Sequence, residues 1–284
     1  MTGLLDIPLG AKGSGRARYA RAMILHRDNQ ITFAQLEAYR VAAADDSLGP
    51  APTFADRALP LPVLPAPAPA AVILALIDEA DRYLATLPGP GVAEVRAGIA
   101  RHRFGPVLPT APGISQVVDQ HLPQAVAALD LSHPALSACL LAAAPLLNWT
   151  AYVGYDPARI GSDFLAGNAY ATLIGPQAPI AAQGFELGLF VIAPQVLYRD
   201  HHHAAPELYA PLTGPHGWRF GPGRPLVIKP AHSPVWNPPH HPHLTKVGPV
   251  PFLCLWGWTR DIREPAQVLP ASDWPELERL RLDV

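Results

Sequence analysis

A series of short β-type segments after Asp163 restricts the fold of this 284-residue chain more than any other feature. Seven runs rich in β-branched and aromatic residues, among them FELGLFVIAP, VLYRDHHH and VPFLCLWGW, are separated by Gly and Pro turns. They recur at intervals of about 8 to 12 residues, with no helical pattern between them. This series predicts an antiparallel sandwich or barrel, because isolated edge strands on a helical protein would leave many backbone groups unpaired.

The region before the strands has a helical pattern. Four stretches with apolar residues at helical spacing begin at Ala71, Val92, Ile114 and Pro134, and one or two further helices are predicted between Arg16 and about Asp46. Between them, GPAPTFADRALPLPVLPAPAPA predicts a stiff connector, since each Pro fixes φ and removes a backbone donor. We therefore expect a helical extension with a Pro-rich linker at 1–65, a helical region at 66–160 and a β-barrel at 161–284.

Composition and charge exclude several classes of partner. The formal charge is −2 and no cluster of Lys or Arg is present, so nucleic acid is not an expected partner and a small molecule is. No apolar run reaches the roughly 18 residues needed to cross a bilayer, so no membrane partner is expected. The amino terminus does not follow the order of a secretory signal, so a cytoplasmic location is expected. Cys139 and Cys254 lie in apolar segments typical of free thiols.

Histidines are concentrated in one part of the predicted β region. Eight of the twelve lie between His201 and His243. If VLYRDHHH is a strand, His201 and His203 face the same way together with Arg199. Tyr198 then faces the opposite way with Asp200 and His202. A role for Tyr198 beside these imidazoles then requires a bulge or twist before His201.

A carboxylate and a phenol can join the two imidazoles. After a turn at 204–206, Glu207 and Tyr209 return to the face of His201 and His203, again two residues apart. Two imidazoles and a carboxylate suit one divalent ion such as Zn, Fe, Mn, Ni or Co, with a fourth ligand from a distant strand. The histidines of PPHHPHLT can supply that ligand. The alternative is that the HHH run consists of exposed loop histidines.

The spacing of these residues resembles a known motif. HxH, three residues, Glu, six residues and Gly, matched by His201, His203, Glu207 and Gly214, resembles the first motif of the cupin family. This resemblance implies a carboxy-terminal double-stranded β-helix, or jelly-roll, barrel. In cupins a histidine of a second motif completes the metal site, and its interval to Thr245 selects His241, with His243 as the second choice.

A wider pattern resembles the cupin-type dimethylsulfoniopropionate (DMSP) lyases, which cleave this sulfonium zwitterion to dimethyl sulfide and acrylate. The resemblance covers roughly residues 130–262. It rests on the following residues and segments: Tyr198, His201, His203, Glu207, Tyr209, 212–214, His241, Thr245, Trp256 and GPQAPI at 175–180.

The resemblance implies a role for each matching residue. The metal ligands would be His201, His203, Glu207 and His241. Tyr209 is the first choice as general base in a β-elimination and Tyr198 is the second. A metal ion beside a tyrosine favours its phenolate form, which can accept a proton. The aromatic faces of Trp256, Tyr198 and Trp218 are candidates to bind the sulfonium through cation–π contacts.

Two other functions are open at this point, because one fold hosts many reactions. An Fe(II)-dependent cupin dioxygenase acting on a small organic acid would use the same ligands. A non-catalytic cupin that binds a small molecule would need neither tyrosine. The helices before the barrel are expected either to cover it or to form a homodimer contact, since both would bury their apolar faces.

Overall fold

The computed structural model describes residue 10 and the ranges 12–62, 67–108 and 110–283. The chain folds as two compact units, Met1–Ala68 and Pro69–Val284. Residues 63–66, which belong to the predicted Pro-rich linker, and residues 1–9 lie outside the described residues.

The first unit contains α1 (Ser14–Arg27), α2 (Phe33–Ala42) and α3 (Pro50–Asp56). One or two helices are predicted between Arg16 and about Asp46, and the structure has two, α1 and α2. Thr32 forms a capping box with Gln35 at the start of α2. The expectation that the whole segment after Gly49 is irregular is wrong. Pro50 stands in the first turn of α3, where no backbone donor is needed, and Phe54 packs edge to face on Tyr39 at 5.0 Å.

Helices of the second unit pack against both of its sheets. They are α4 (Pro69–Leu84), α5 (Val92–His102), α6 (Gln116–Ala127), α7 (Pro134–Ala143), α8 (Pro157–Ile160), α9 (Ser162–Ala166) and α10 (Trp274–Arg279). The four long helices predicted from periodicity are confirmed as α4 to α7. Leu76, Ile99 and Leu140 belong to the same apolar cluster as Leu189 and Leu255 of the strands. The helical region thus covers the strands, because burial of both apolar faces is favourable.

Among the described residues of the second unit, eleven strands form two sheets. They are β1 (Asn168–Gly175), β2 (Ile180–Ala181), β3 (Glu186–Ile192), β4 (Leu197–His202), β5 (Glu207–Pro211), β6 (His216–Arg219), β7 (Val227–Lys229), β8 (Val235–Asn237), β9 (His243–Lys246), β10 (Phe252–Trp258) and β11 (Gln267–Val268). The orders are β2-β1-β3-β10-β5-β8 and β11-β4-β9-β6-β7, and every pair except β1 with β2 is antiparallel. All seven predicted strands are present, and the expected jelly roll of two sheets with preceding helices is confirmed.

The inner faces of the two sheets share a cluster of aromatic side chains. Tyr198 and Trp218 enter it from the five-stranded sheet, and Tyr209, Phe252 and Trp256 enter it from the six-stranded sheet. The site described below lies beside this cluster. Both cysteines are free. No described helix combines the length and apolar character needed to cross a membrane.

Candidate metal centre

A β-bulge in β4 decides which side chains reach the interior. Tyr198 pairs with Thr245 and His201 pairs with His243, so three steps along β4 match two along β9. Tyr198 and His201 therefore both point inward, and their rings stack with centroids 4.0 Å apart. The strict alternation expected from the sequence is wrong here. Arg199 does not share the face of His201, and its Nη2 bonds the Glu278 carboxylate at 2.6 Å.

Three buried imidazoles converge at the inner face. Ligand nitrogens of His201, His203 and His243 all lie within 4.8 Å of one another. His201 and His243 are directly opposite on β4 and β9, and their ring centroids are 4.1 Å apart. The group therefore joins neighbouring strands of one sheet.

Hydrogen bonds fix the same tautomer on all three rings. The Nδ1 atoms of His201, His203 and His243 lie 2.8, 2.7 and 2.9 Å from backbone carbonyls two residues away. A carbonyl accepts and cannot donate, so each Nδ1 carries a proton, and in a neutral ring the lone pair is then on Nε2. Within the described part of the chain, the Nε2 atoms of His201 and His243 are buried and have no hydrogen-bond partner. This arrangement fits a metal ion, whose histidine ligands typically donate their other ring nitrogen to a fixed acceptor.

Glu207 completes the donor set from the facing sheet. Its Oε2 lies 3.2 Å from His203 Nε2 and 3.3 Å from His243 Nε2. Two side chains donate to the same carboxylate: Trp258 Nε1 bonds Oε1 at 2.8 Å, and Asn237 Nδ2 bonds Oε2 at 3.2 Å. Three imidazole nitrogens and one oriented carboxylate can hold one divalent ion.

Burial and mutual charge set the ionisation of the group. Burial would raise the pKa of Glu207, but the adjacent His203 and His243 hold that pKa well below its usual range. Burial also lowers the pKa of His201 well below its usual value and lowers that of His243. Burial acts in the same direction on His203, but the Glu207 charge and hydrogen bond outweigh it and raise its pKa. The centre thus contains an ionised carboxylate beside two neutral imidazoles.

The structure does not bring His241, the predicted fourth ligand, into this group. His241 precedes β9, and its ring lies near Phe220 with centroids 5.9 Å apart. His243, the second choice, occupies the place instead, because it is the cross-strand partner of His201. Alternation alone could not have found it, because His241 and His243 are both an even number of residues from Thr245.

Both predicted tyrosines lie beside the centre. Tyr209 is buried, and its ring centroid is 6.2 Å from that of His243. Tyr198 stacks on His201, and its hydroxyl is 2.6 Å from that of Tyr155. Burial raises the pKa of both Tyr198 and Tyr209 well above 10. Each is therefore a neutral phenol when no cation lies beside it.

A cavity of about 290 Å³ extends from the metal centre and has largely aromatic walls. Trp256 lines it, as predicted for a substrate-binding aromatic. Trp218, the other tryptophan predicted to bind substrate, does not line it, because it is fully buried with its ring packed against Tyr209 and Phe252. The remaining aromatic walls are Tyr152, Tyr155, Tyr170, Phe190, Tyr198, Tyr209 and Trp258, and Glu186 adds a carboxylate.

Sequence reasoning missed four residues that contact or extend the site. Trp258 and Asn237 orient Glu207, Tyr155 bonds Tyr198, and Glu186 lines the cavity. Trp258 left a signal, since it lies two residues after Trp256 on the same strand and must share its face. Contacts of Tyr155, Asn237 and Glu186 depend on which distant segments pair or pack, and no local pattern indicates them.

Comparison with known proteins identifies the family. A family model described as dimethylsulfoniopropionate lyase matches residues 110–254, which contain all four donors of the centre. The chain belongs to the DMSP lyase family. It is therefore an enzyme of the carbon–sulfur lyase class, as its sequence predicted.

Individual members of the DMSP lyase family support this placement. The DMSP lyase DddQ of Ruegeria pomeroyi (strain ATCC 700808 / DSM 15171 / DSS-3) is 28% identical over 147 residues, covering 52% of this chain and 70% of that protein. A solved structure described as DMSP lyases RdDddP and RnDddQII superposes with a TM-score of 0.53 at 20% identity, over 72% of this chain and 100% of the other. The structure of the DMSP lyase DddQ from Ruegeria pomeroyi DSS-3 superposes with a TM-score of 0.51 at 23% identity, over 70% of this chain and 96% of the other. At these identities the structural likeness establishes the fold.

Proposed function

We propose that this protein cleaves DMSP by β-elimination to dimethyl sulfide and acrylate, with one divalent metal ion held by His201, His203, Glu207 and His243. The observation that carries the proposal is the convergence of three Nδ1-protonated imidazoles and an ionised carboxylate at the end of an aromatic cavity. Membership of the DMSP lyase family supplies the substrate class.

The donor set suits a borderline ion such as Zn, Fe, Mn, Ni or Co, because imidazole and carboxylate donors are common to all of them. When bound, such an ion would stabilise the negative charge that develops on the substrate carboxylate and would favour the phenolate form of a neighbouring tyrosine. The chain's own part is to hold the donors in place through the backbone carbonyls, Trp258 and Asn237.

Tyr209 is the proposed general base. Its phenolate oxygen takes the proton from the carbon next to the substrate carboxylate, and the C–H electron pair becomes the new carbon–carbon double bond. The C–S bond breaks and its electron pair stays on sulfur, which converts the sulfonium to neutral dimethyl sulfide. Tyr209 is preferred to Tyr198 as the base because the Tyr198 hydroxyl is already hydrogen-bonded to the Tyr155 hydroxyl at 2.6 Å.

The aromatic walls are proposed to hold the sulfonium end and to limit water around the reacting atoms. Trp256 lines the cavity and lies near Tyr170 and Trp258, with ring centroids 6.4 and 5.7 Å away. A desolvated cation–π contact contributes about 0.5–2 kcal/mol. The faces of these rings thus favour a cationic substrate over a neutral one.

Headspace detection of dimethyl sulfide from metal-loaded protein given DMSP tests the proposal. Release should be lost on chelation and restored by adding a divalent ion. Tyr209→Phe should abolish release while bound metal, measured by elemental analysis, stays near one ion per chain. Absence of release from wild-type protein at every metal tried would overturn the proposed reaction.

Two neighbouring histidines form a matched pair for the metal ligands. His243→Ala should lose both metal and activity, because it removes a lone pair aimed into the centre. His241→Ala should retain both, because its ring faces Phe220 outside the centre. The reverse result would restore the assignment drawn from the sequence motif and refute the structural one.

A further inference from the structure

Glu186 places a carboxylate in the cavity and takes no part in the proposed elimination. It is the first residue of β3, is half-buried and lines the cavity with Tyr170 and Trp256. Among the described residues, its carboxylate has neither a hydrogen-bond donor nor a basic partner within ion-pair distance. A partly buried carboxylate without a partner is costly to ionise, which makes its place in a binding cavity informative.

The sheet places Glu186 in line with the metal centre. In β3, β10 and β5, Glu186 stands directly opposite Trp258, and Trp258 stands directly opposite Glu207. Directly opposed residues point to the same face, and neighbouring strands are about 4.8 Å apart. The backbones of Glu186 and Glu207 are therefore roughly 10 Å apart, with the Trp258 ring between them, and both side chains extend into one cavity.

The charges around Glu186 also favour binding of a cationic ligand. Burial raises the pKa of Glu186 to about 7. The titratable groups that interact with it are the phenols of Tyr152 and Tyr170, whose own pKa values are raised by burial, so both are neutral near pH 7. A bound cation would favour the ionised form of Glu186 and gain a direct countercharge.

We infer that Glu186 is a specificity-determining residue that binds the onium group of a short zwitterion whose carboxylate lies at the metal centre. The inference rests on the proposed function, which places the carboxylate near Glu207. In DMSP two methylene groups separate the carboxylate from the sulfonium sulfur. The side chains of Glu186 and Glu207 extend into the cavity from both ends, so the ligand has to span less than the distance between their backbones. The ligand class is a small onium carboxylate in which a trialkyl cation and a carboxylate are two methylenes apart.

A pair of ligands that differ in charge and match in shape isolates this contact. 3-(Trimethylammonio)propionate carries a fixed cation and has a poor leaving group, and 4,4-dimethylpentanoate is its isostere with an uncharged tert-butyl group in place of the cation. Their affinities for metal-loaded wild type, Glu186→Gln and Glu186→Asp are measured by titration calorimetry. Glu264→Gln, which removes an exposed carboxylate from a surface turn, controls for the change in overall charge.

Wild type should bind the onium ligand more tightly than the isostere. In Glu186→Gln this preference should fall about tenfold, the change that one moderate charge contact makes, while affinity for the tert-butyl isostere stays within twofold. Glu186→Asp should retain part of the preference, and Glu264→Gln all of it. An unchanged preference in Glu186→Gln would overturn the inference, as would an equal loss of affinity for both ligands.

This binding test is independent of turnover. If wild type releases no dimethyl sulfide but its onium preference depends on Glu186, the lyase proposal fails and the onium site stands. If dimethyl sulfide is released and the preference does not depend on Glu186, the lyase stands and the onium site is refuted.

Discussion

Replacement of Trp258 by Phe should weaken metal binding without removing a ligand. The indole Nε1–H donates to Glu207 Oε1 at 2.8 Å, and the ring also lies against His203 with centroids 4.8 Å apart. Phe retains most of the ring packing and removes the donor. A hydrogen bond to a charged group contributes about 1.5–3 kcal/mol. Since 1.4 kcal/mol is a factor of ten, metal affinity should fall roughly 10- to 100-fold, which matches the usual effect of losing an outer partner of a metal ligand.

Competition with a chromophoric chelator at fixed pH measures this change. Trp256→Phe is the matched control, because Trp256 lies on the same face of β10 two residues earlier. Among the described residues, its indole does not donate a hydrogen bond to any of the proposed metal ligands. Its metal affinity should stay within about twofold of wild type. Equal affinities in Trp258→Phe and wild type, or an equal loss in the Trp256 control, would refute the argument that the Trp258 donor orients Glu207.

Three further predictions concern charge and hydrogen bonding around the site. Asp200→Ala should lower the free energy of unfolding in urea by about 3 kcal/mol, because Arg219 is left buried with one of its two carboxylate partners removed; a loss below about 1 kcal/mol would contradict this. Tyr155→Phe should cost about 0.5–1.5 kcal/mol by the same assay, since the Tyr198 hydroxyl loses its 2.6 Å partner, and an unchanged midpoint would argue against that bond. The onium preference of wild type should rise as pH increases through about 7, where Glu186 loses its proton, and should be flat in Glu186→Gln.

Local pattern was sufficient for much of this fold. Apolar spacing and Pro or Gly boundaries identified α4 to α7, and turn-bounded β-branched runs identified seven of the eleven strands. The strands that were missed, β2, β8, β9 and β11, have two to four residues each and lie in segments without a longer β-branched or aromatic run. The missed helix α3 packs Phe54 against Tyr39, a tertiary contact that the local pattern does not indicate.

The chemistry of the centre divides in the same way. The HxH motif and the Glu207 that follows it determined the kinds of donor, and strand alternation placed Glu207 and Tyr209 on one face. The position of Tyr198 could not follow from alternation, because the bulge in β4 arises from pairing three steps of that strand with two of β9.

By itself, the sequence indicated a histidine-rich β fold with a set of candidate metal ligands and with aromatic residues that could bind a cation. Only the tertiary structure decided that His243 and not His241 lies beside His201 and His203, and that Glu186 faces Glu207 across the Trp258 ring. The physical reason is that cross-strand register is fixed by the pairing and burial of whole strands. It therefore brings together side chains that are far apart in sequence and that no local spacing relates.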